Sequence, residues 1–204
     1  MYFRRAFLLM AAVTAFTTSA HASVVTFSAL TSPTDHYFGP TYQEGGLTFA
    51  SSYDTSNTLL TWGKSNSANA DPGGATLLET GANKDIVVTR TGGGTFDLIS
   101  FDLADGFNSG SSGKIKLTYV DKTGTHSTKL TLDKLKGLQS YSLNLHDITS
   151  FSLTEASPFY QIDNVNFTVA AVPELSTWGM MGIGFAGLGY LAYRRKNPGS
   201  FATA

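Results

Sequence analysis

Polar and apolar residues alternate with a period of two through the middle of the chain. In the segment 114–119 the apolar residues, among them Ile115 and Leu117, fall on one face, which is typical of a half-buried β-strand. Turn-forming residues at 121–124 and a threonine-rich run over 125–132 follow. This arrangement predicts a β-hairpin.

Shorter runs of the same kind predict further strands on both sides of the hairpin. They cover residues 24–28, 46–51, 85–90, 99–103, 141–145, 151–153 and 160–169. Glycine, asparagine and proline clusters separate them, and no segment between the targeting ends of the chain sustains a capped helical repeat. We therefore expect an all-β domain of about nine or ten short strands, folded as an antiparallel β-sandwich of jelly-roll type.

The N-terminal end reads as an export signal. A basic pair at residues 4–5 precedes an apolar run at 6–16, and Ala20 and Ala22 then form an A-x-A cleavage motif. These three parts in this order predict a secretory signal peptide of 22 residues that signal peptidase removes before Ser23. The β domain is then expected over residues 23–171.

The C-terminal end, residues 172–204, has a different composition from the domain. Residues 178–193 contain no charged side chain, and Arg194, Arg195 and Lys196 follow at once. An apolar run with a basic end predicts a single transmembrane helix over about 176–193, whose basic stop stays in the cytoplasm.

A short polar signature precedes this apolar run. It consists of Val172, Pro173, Glu174, Leu175, Ser176, Thr177 and Trp178. With the glycine-rich helix and the basic stop, it resembles the PEP-CTERM protein-sorting tail, which is also catalogued as an ice-binding-protein C-terminal motif. The resemblance implies an exported protein of a Gram-negative bacterium that makes exopolysaccharide, with a tail processed by a membrane exosortase. Leu175 stands where that family usually has a second proline.

The last predicted strand changes phase. Its apolar residues alternate up to Ile162 and again from Val165, so the pattern slips by one residue at Asp163 and Asn164, as in a β-bulge. The segment 159–165 also resembles the last strand of carbohydrate-binding sandwiches. That resemblance implies that Asp163 could help to bind a structural calcium, and the alternative is a satisfied polar pair at the bulge. No other cofactor is expected.

Composition limits the classes of function. The chain has no cysteine, so the exported domain must be held by packing alone or by a bound ion. Residues 23–171 carry nine lysines and arginines against 14 acidic residues, which gives a net charge of −5. The sequence indicates no extensive basic patch, and nucleic-acid binding is not expected.

No catalytic or metal-binding set stands out in the sequence. There is no H-E-x-x-H motif, no close histidine pair and no G-x-S-x-G nucleophile elbow. Asp97, Asp102 and Asp105 are candidates for a glycosidase pair, but acids scattered along the chain do not show two converging groups. We expect neither catalytic residues nor a zinc site.

Binding is the better candidate for function. Aromatic residues in loop-like segments include Tyr37, Phe38, Tyr42, Tyr53, Trp62 and Phe107. Trp62 with Asn66 and Asn69 could stack on a sugar ring and bind its hydroxyls. The sequence therefore predicts a non-enzymatic, exported protein that is first held at the inner membrane. Its destination is then the periplasm, cell surface or extracellular matrix, with a glycan as ligand. The alternatives are a secreted polysaccharide hydrolase and an ice-binding or adhesive protein.

Overall fold

The computed structural model describes residues 21–53, 57–80, 84–155, 159–169 and 175–196. Residues 20–169 form one compact unit, and the C-terminal helix belongs to another, so the two are described separately. The first twenty residues, including Ala20 of the predicted cleavage motif, lie outside the described part of the chain. So do Val172, Pro173 and Glu174 of the predicted sorting signature.

The described part of the β domain contains thirteen strands. In chain order they are β1 (His21–Val25), β2 (His36–Phe38), β3 (Thr41–Glu44), β4 (Leu47–Ser51), β5 (Leu59–Thr61), β6 (Leu78–Glu79), β7 (Asp85–Arg90), β8 (Phe96–Asp105), β9 (Lys114–Asp121), β10 (Gly124–Thr131), β11 (Gln139–Ile148), β12 (Ser150–Glu155) and β13 (Tyr160–Val169).

These strands form antiparallel sheets. One sheet has the order β1-β13-β8-β11, and a larger one has the order β10-β9-β12-β7-β4-β3. A small third sheet has the order β2-β5-β6. The chain crosses repeatedly between the two large sheets, since β8 and β11 lie in the first while β9, β10 and β12 lie in the second.

The two large sheets share one hydrophobic core. Phe101 of β8 stacks on Phe151 of β12 across the sandwich, with ring centroids 5.8 Å apart. Phe96 of β8 contacts both Phe151 and Phe167 of β13 at 6.3 Å. All four side chains are buried. The predicted antiparallel β-sandwich is confirmed, while its assignment to the jelly-roll type stays a prediction.

The central hairpin is confirmed. β9 and β10 pair from Lys114 opposite Thr131 to Asp121 opposite Gly124. Ile115 and Leu117 are fully buried, as the alternation predicts. The apolar residues enter the core because every second side chain of a strand points to the same face.

The predicted first strand is too long at its C-terminal end. β1 ends at Val25, and Phe27 adopts a left-handed conformation with φ 51° before a short 3₁₀ helix at Ser28–Leu30. Phe27 is fully buried against Phe49, and this packing overrides its strand pattern. At the other end, His21 and Ala22 pair with β13, so cleavage after Ala22 would leave β1 with the three residues from Ser23 to Val25.

The strand predicted over 99–103 begins earlier and in a different phase. β8 starts at Phe96, and its buried residues are Phe96, Leu98, Phe101 and Leu103, whereas Ile99 is only half-buried. The alternation slips at Ile99 and Ser100 because the pairing with both neighbouring strands shifts register near this point.

The bulge predicted in the last strand is confirmed. The register between β13 and β8 shifts between Asp163 and Asn166, and Asn164 has a φ of 48°. Ile162 and Val165 both reach the core although they are three residues apart. The extra residue allows both halves of β13 to bury their apolar side chains.

The C-terminal helix α1 spans Leu175–Lys196. It covers the predicted membrane segment 176–193, and the large apolar side chains described from Met180 to Tyr193 are exposed. Among the described residues, however, no helix combines the length and apolarity that a bilayer crossing needs. Five glycines between residues 179 and 189 add little hydrophobicity, and the predicted transmembrane span is not supported.

We expect Phe151→Ala to destabilise the domain strongly. The side chain is 1% exposed and contacts rings from the opposite sheet, so truncation should cost about 3–5 kcal/mol of unfolding free energy. Urea unfolding of the full chain measures this. Leu135→Ala is the control, because Leu135 is 68% exposed and its loss should change stability by less than about 0.5 kcal/mol. Similar shifts for both variants would contradict this account of the core.

Candidate functional site

Three aromatic rings cluster where two loops meet. The ring centroids of Trp62 and Phe107 are 6.1 Å apart, and those of Phe107 and Phe159 are 6.0 Å apart. Phe107 is 49% exposed, whereas Trp62 and Phe159 are half-buried. We call these three residues the aromatic cluster. It combines mutual ring contact with an open face at Phe107.

The indole of Trp62 has a fixed position. Its Nε1 donates a 2.8 Å hydrogen bond to the carbonyl oxygen of Gly106. Gly106 itself is buried and its amide donates to the carbonyl of Phe159; a Cβ at this position would lie 2.5 Å from that of Phe159. Only glycine therefore allows the loop and Phe159 to approach this closely.

The loop that carries Phe107 is organised by one carboxylate. Asp105 is 3% exposed and accepts hydrogen bonds from the backbone amides of Phe107, Ser109 and Gly110 at 2.9–3.2 Å. Burial acts to raise the pKa of Asp105, but these hydrogen bonds outweigh it and hold the pKa below its usual range. The charged carboxylate therefore fixes the backbone under the aromatic ring.

Gln161 of β13 ties this loop to the segment that follows Trp62. Its side-chain oxygen accepts hydrogen bonds from the amide of Ala70 at 3.0 Å and from the hydroxyl of Thr76 at 2.5 Å. Its nitrogen donates to the carbonyls of Ala68 at 2.7 Å and Asp105 at 2.9 Å. Gln161 is fully buried, and the four bonds satisfy its amide. Sequence reasoning missed it, because a polar residue in a strand usually indicates a solvent-facing position.

The two asparagines predicted to help Trp62 have structural roles. Asn66 donates to the carboxylate of Asp35 at 2.8 Å, and its oxygen accepts from the amide of Ala68. Asn69 is 2% exposed, donates to the carbonyl of Gly74 and accepts from the amide of Asp71. Both amides shape the loop after Trp62, and the buried one is not open to a ligand.

Asn108 joins the aromatic cluster to a third loop. Its side-chain oxygen accepts a 2.6 Å hydrogen bond from the amide of Gly137, and its nitrogen donates to the carbonyl of Asn69. Close by, a Cβ on Gly110 would lie 2.9 Å from the carbonyl oxygen of Lys134. The loop after β10 is therefore fixed beside the loop that carries Phe107.

The other candidate aromatics do not join this cluster. Phe38 and Tyr42 pack against each other and onto the core, and the Tyr42 hydroxyl donates to Glu44 at 2.6 Å. Tyr37 is 51% exposed on β2, and Tyr53 is 47% exposed beneath the ammonium group of Lys84.

The remaining carboxylates and histidines of β8 and its neighbours form local pairs. Asp97 lies 3.1 Å from a ring nitrogen of His146. Asp102 accepts from the hydroxyl of Ser140 at 2.5 Å and from the side-chain amide of Asn164 at 2.8 Å. The carboxylates of Asp97 and Asp102, which are candidates for glycoside hydrolysis from the sequence, are therefore hydrogen-bonded to local partners.

Asp163 is a strongly perturbed acid. It is 2% exposed, and burial raises its pKa to about 7. A hydrogen bond from the amide of Asn164 opposes this rise, while the negative charges of Asp71 and Asp102 add to it. The bulge thus places a carboxyl group where its charged form is disfavoured.

The described residues do not gather a set of carboxylates for a calcium ion at Asp163. Calcium needs six to eight oxygen ligands with several carboxylates among them. Within the described ranges, no group of three or more His, Cys, Asp or Glu side chains is close enough to hold a metal ion.

Comparisons with known proteins give only weak likenesses. No protein-family model matches the chain, and no curated protein matches it. Among solved structures, CpGH89CBM32-6 produced by Clostridium perfringens is 13% identical with a TM-score of 0.37, covering 63% of this chain and 97% of that one. The CBM22-1 xylan-binding domain from Paenibacillus barcinonensis Xyn10C is 14% identical with a TM-score of 0.35, covering 76% and 99%. Similarity at this level does not establish a shared ligand.

The raised pKa of Asp163 predicts a pH-dependent stability. The carboxyl group of Asp163 binds its proton more tightly in the folded state than in the unfolded state, where the pKa of aspartate is about 4. The free energy of unfolding therefore falls as the pH rises from about 4 to about 7. Asp163→Asn removes the buried charge and keeps an acceptor for Asn164. We expect it to stabilise the domain at pH 8 by on the order of 2–4 kcal/mol and to have little effect at pH 4, as measured by urea unfolding.

Asp97→Asn is the matched control with the opposite sign. Burial acts to raise the pKa of Asp97, but hydrogen bonds from Asp147 and His146 lower it overall. The charged carboxylate of Asp97 stabilises the fold at pH values above its pKa in the unfolded state. This stabilisation is lost as the pH falls through its pKa in the folded state. The variant should therefore be less stable than the wild type at pH 8. Equal pH profiles for the two variants would refute the assignment at Asp163.

Proposed function

We propose that the β domain is a non-enzymatic glycan-binding module whose contact surface is the aromatic cluster. The observation that carries the proposal is the half-exposed ring of Phe107, held against Trp62 on loops that Asp105 and Gln161 fix. The face of a sugar ring presents C–H groups that stack on aromatic rings, while its hydroxyls need polar neighbours. The exposed hydroxyls of Ser109 and Ser111 lie on the same loop.

The rigidity of these loops favours binding. Ordering a flexible loop on contact with a ligand reduces affinity, whereas a pre-formed surface avoids that cost. The ring of Phe107 belongs to a loop whose backbone amides are fixed by a buried carboxylate, and Gln161 connects that loop to β13. The surface can therefore meet a ligand without first becoming ordered.

Two alternatives gain less support from the described residues. A polysaccharide hydrolase needs two converging carboxylates, and Asp97, Asp102 and Asp105 are instead held by local partners. An ice-binding or adhesive surface would be favoured by regular rows of threonine. The row across β9, β12 and β7 reads Thr118, Ser152 and Val87, which is not a regular row.

We also propose that the protein is exported and sorted through its C-terminal tail. The sequence order of polar signature, glycine-rich helix and basic stop supports this, and α1 ends at Lys196 of that stop. In this proposal signal peptidase removes the leader and the tail holds the precursor transiently at the inner membrane. An exosortase-type enzyme then processes the tail, and the domain reaches the periplasm, cell surface or extracellular matrix.

The binding proposal predicts a specific dependence on Phe107. On a glycan array, the full chain in nonionic detergent should bind at least one polysaccharide, and Phe107→Ala together with Trp62→Ala should weaken that binding by about tenfold or more. Tyr53→Ala is the control, since Tyr53 is similarly exposed but lies outside the cluster. Silence of the wild type across the array would remove the proposal.

The sorting proposal predicts a dependence on exosortase. In a host that processes such tails, the mature protein should lack α1, and deletion of the exosortase should leave the full-length chain in the membrane fraction. Immunoblots of membrane and culture fractions measure this, with restoration of the exosortase as the control. Unchanged processing and release in the deletion strain would count against the sorting role.

A further inference from the structure

Positive charge is concentrated in one stretch of an otherwise acidic domain. Residues 114–136 contain six lysines and two aspartates, a net charge of +4. The rest of residues 23–171 carries three basic and twelve acidic residues, a net charge of −9. The domain is therefore strongly polarised, which its overall charge of −5 conceals. This concentration of lysines differs from the expectation that the domain has no extensive basic patch.

The β9–β10 hairpin brings three of these lysines onto one face. Lys116 is directly opposite Lys129, and Lys114 lies two residues from Lys116 on the same strand. All three point away from the core, because Ile115 and Leu117 between and beside them are buried. Directly opposed side chains have Cβ atoms about 4.5–5.5 Å apart, and like charges in that position repel each other.

No described carboxylate neutralises this pair. Within the described residues, neither Lys116 nor Lys129 forms an ion pair. On the neighbouring strand β12, the residue opposite Lys116 is Thr154. The residue opposite Thr154 is Asp85 on β7, two strands from Lys116. A repulsive pair that costs stability, and has no carboxylate partner among the described side chains, is suited to bind an external anion.

The loop after β10 connects the charged hairpin to the loop that carries Phe107. Exposed Lys134 and Lys136 lie in the loop after β10. The amide of Gly137 in that loop donates to Asn108, next to Phe107. We name Lys114, Lys116, Lys129, Lys134 and Lys136 the lysine patch. The patch and the aromatic cluster therefore lie on connected loops and one adjoining sheet face.

We propose that the lysine patch binds an acidic polysaccharide, with carboxylate-bearing sugar residues as its ligands. This rests on the proposed function and names the class of glycan. A polymer lying along the connected surface would stack one sugar on the aromatic cluster and place neighbouring carboxylates near the lysines. The patch consists of lysines without arginine, so it offers point charges and lacks the planar fork that favours phosphate and nucleic-acid recognition.

The acidic remainder of the domain, whose formal charge of −9 includes the buried Glu79, Asp105 and Asp163, orients the polymer. A polyanion is repelled by the part of the domain with a net charge of −9 and attracted by the part with +4. Such a field guides the encounter toward one surface, and salt screens it over about 8–10 Å at physiological ionic strength. Binding should therefore weaken steeply as salt is added.

A matched pair of polymers tests the proposal. Polygalacturonate and its fully methyl-esterified form share a backbone and differ in charge. We expect the full chain in nonionic detergent to bind polygalacturonate at least about tenfold more tightly at low salt, as measured by biolayer interferometry. Lys116→Gln with Lys129→Gln should weaken this binding by about tenfold and leave binding to the esterified polymer unchanged.

The control removes two charges elsewhere. Lys122 lies at the far turn of the same hairpin and Lys84 precedes β7, so Lys122→Gln with Lys84→Gln should have less than about a twofold effect. Circular dichroism melting confirms that both double variants remain folded. The Lys116 and Lys129 variant should melt no lower than the wild type, because it relieves repulsion.

The outcomes separate this inference from the glycan-binding proposal. Equal binding of both polymers that depends on Phe107 but not on the lysines would overturn the acidic-ligand inference and leave glycan binding intact. No binding to either polymer or to neutral glycans would overturn both. Tighter, lysine-dependent binding to duplex DNA or to vesicles containing anionic phosphatidylglycerol would assign the patch to a different polyanion and overturn the inference.

Discussion

The side-chain amide of Gln161 is the interaction on which the candidate surface depends. It lies in β13, which has the hydrophobic core on one side and the loops on the other. Its four hydrogen bonds bind the segment 68–76 on one side and the carbonyl of Asp105 on the other. Because a buried amide without partners is costly, removing any one of these contacts would disturb both loops.

The bulge at Asn164 allows β13 to serve two purposes. Before it, Gln161 and Asp163 are buried beneath loop residues while Ile162 enters the core. After it, Val165 and Phe167 enter the core and the strand pairs with β1. A regular strand of this sequence would lose half of these apolar contacts, since one residue of slip exchanges its faces. The bulge therefore links core packing to the support of the loops.

The sequence predicted well the features that depend on local pattern. The β9–β10 hairpin, β7 and the bulge follow from alternation and turn residues, which act within a few positions of the chain. Phe27 could not be predicted, since its left-handed backbone is set by packing on Phe49. Nor could the function of Gln161, because its partners lie up to 93 residues away.

The candidate site was predicted only in part, and the reason is again the distance along the chain. The residue type of Trp62 predicts a binding role, but the contacts that hold its ring come from Gly106 and Phe107. The closeness of Asn66 and Asn69 to Trp62 in sequence predicts a shared binding role, whereas the fold uses both side-chain amides within the loop. The opposition of Lys116 and Lys129 appears only when the register of the hairpin is known.

Charge and apolar surface are distributed in a way that suits an extended ligand. The six-stranded sheet ends at β10, so the lysine patch lies at an edge, where a long polymer can continue past the domain. Charges on such an edge also discourage pairing with the edge strand of another molecule. The same lysines can therefore protect the isolated domain from aggregation and leave a charged surface open. An anionic polymer would neutralise the charges of Lys116 and Lys129 and cover the exposed face of Phe107. No contact within the described chain does either.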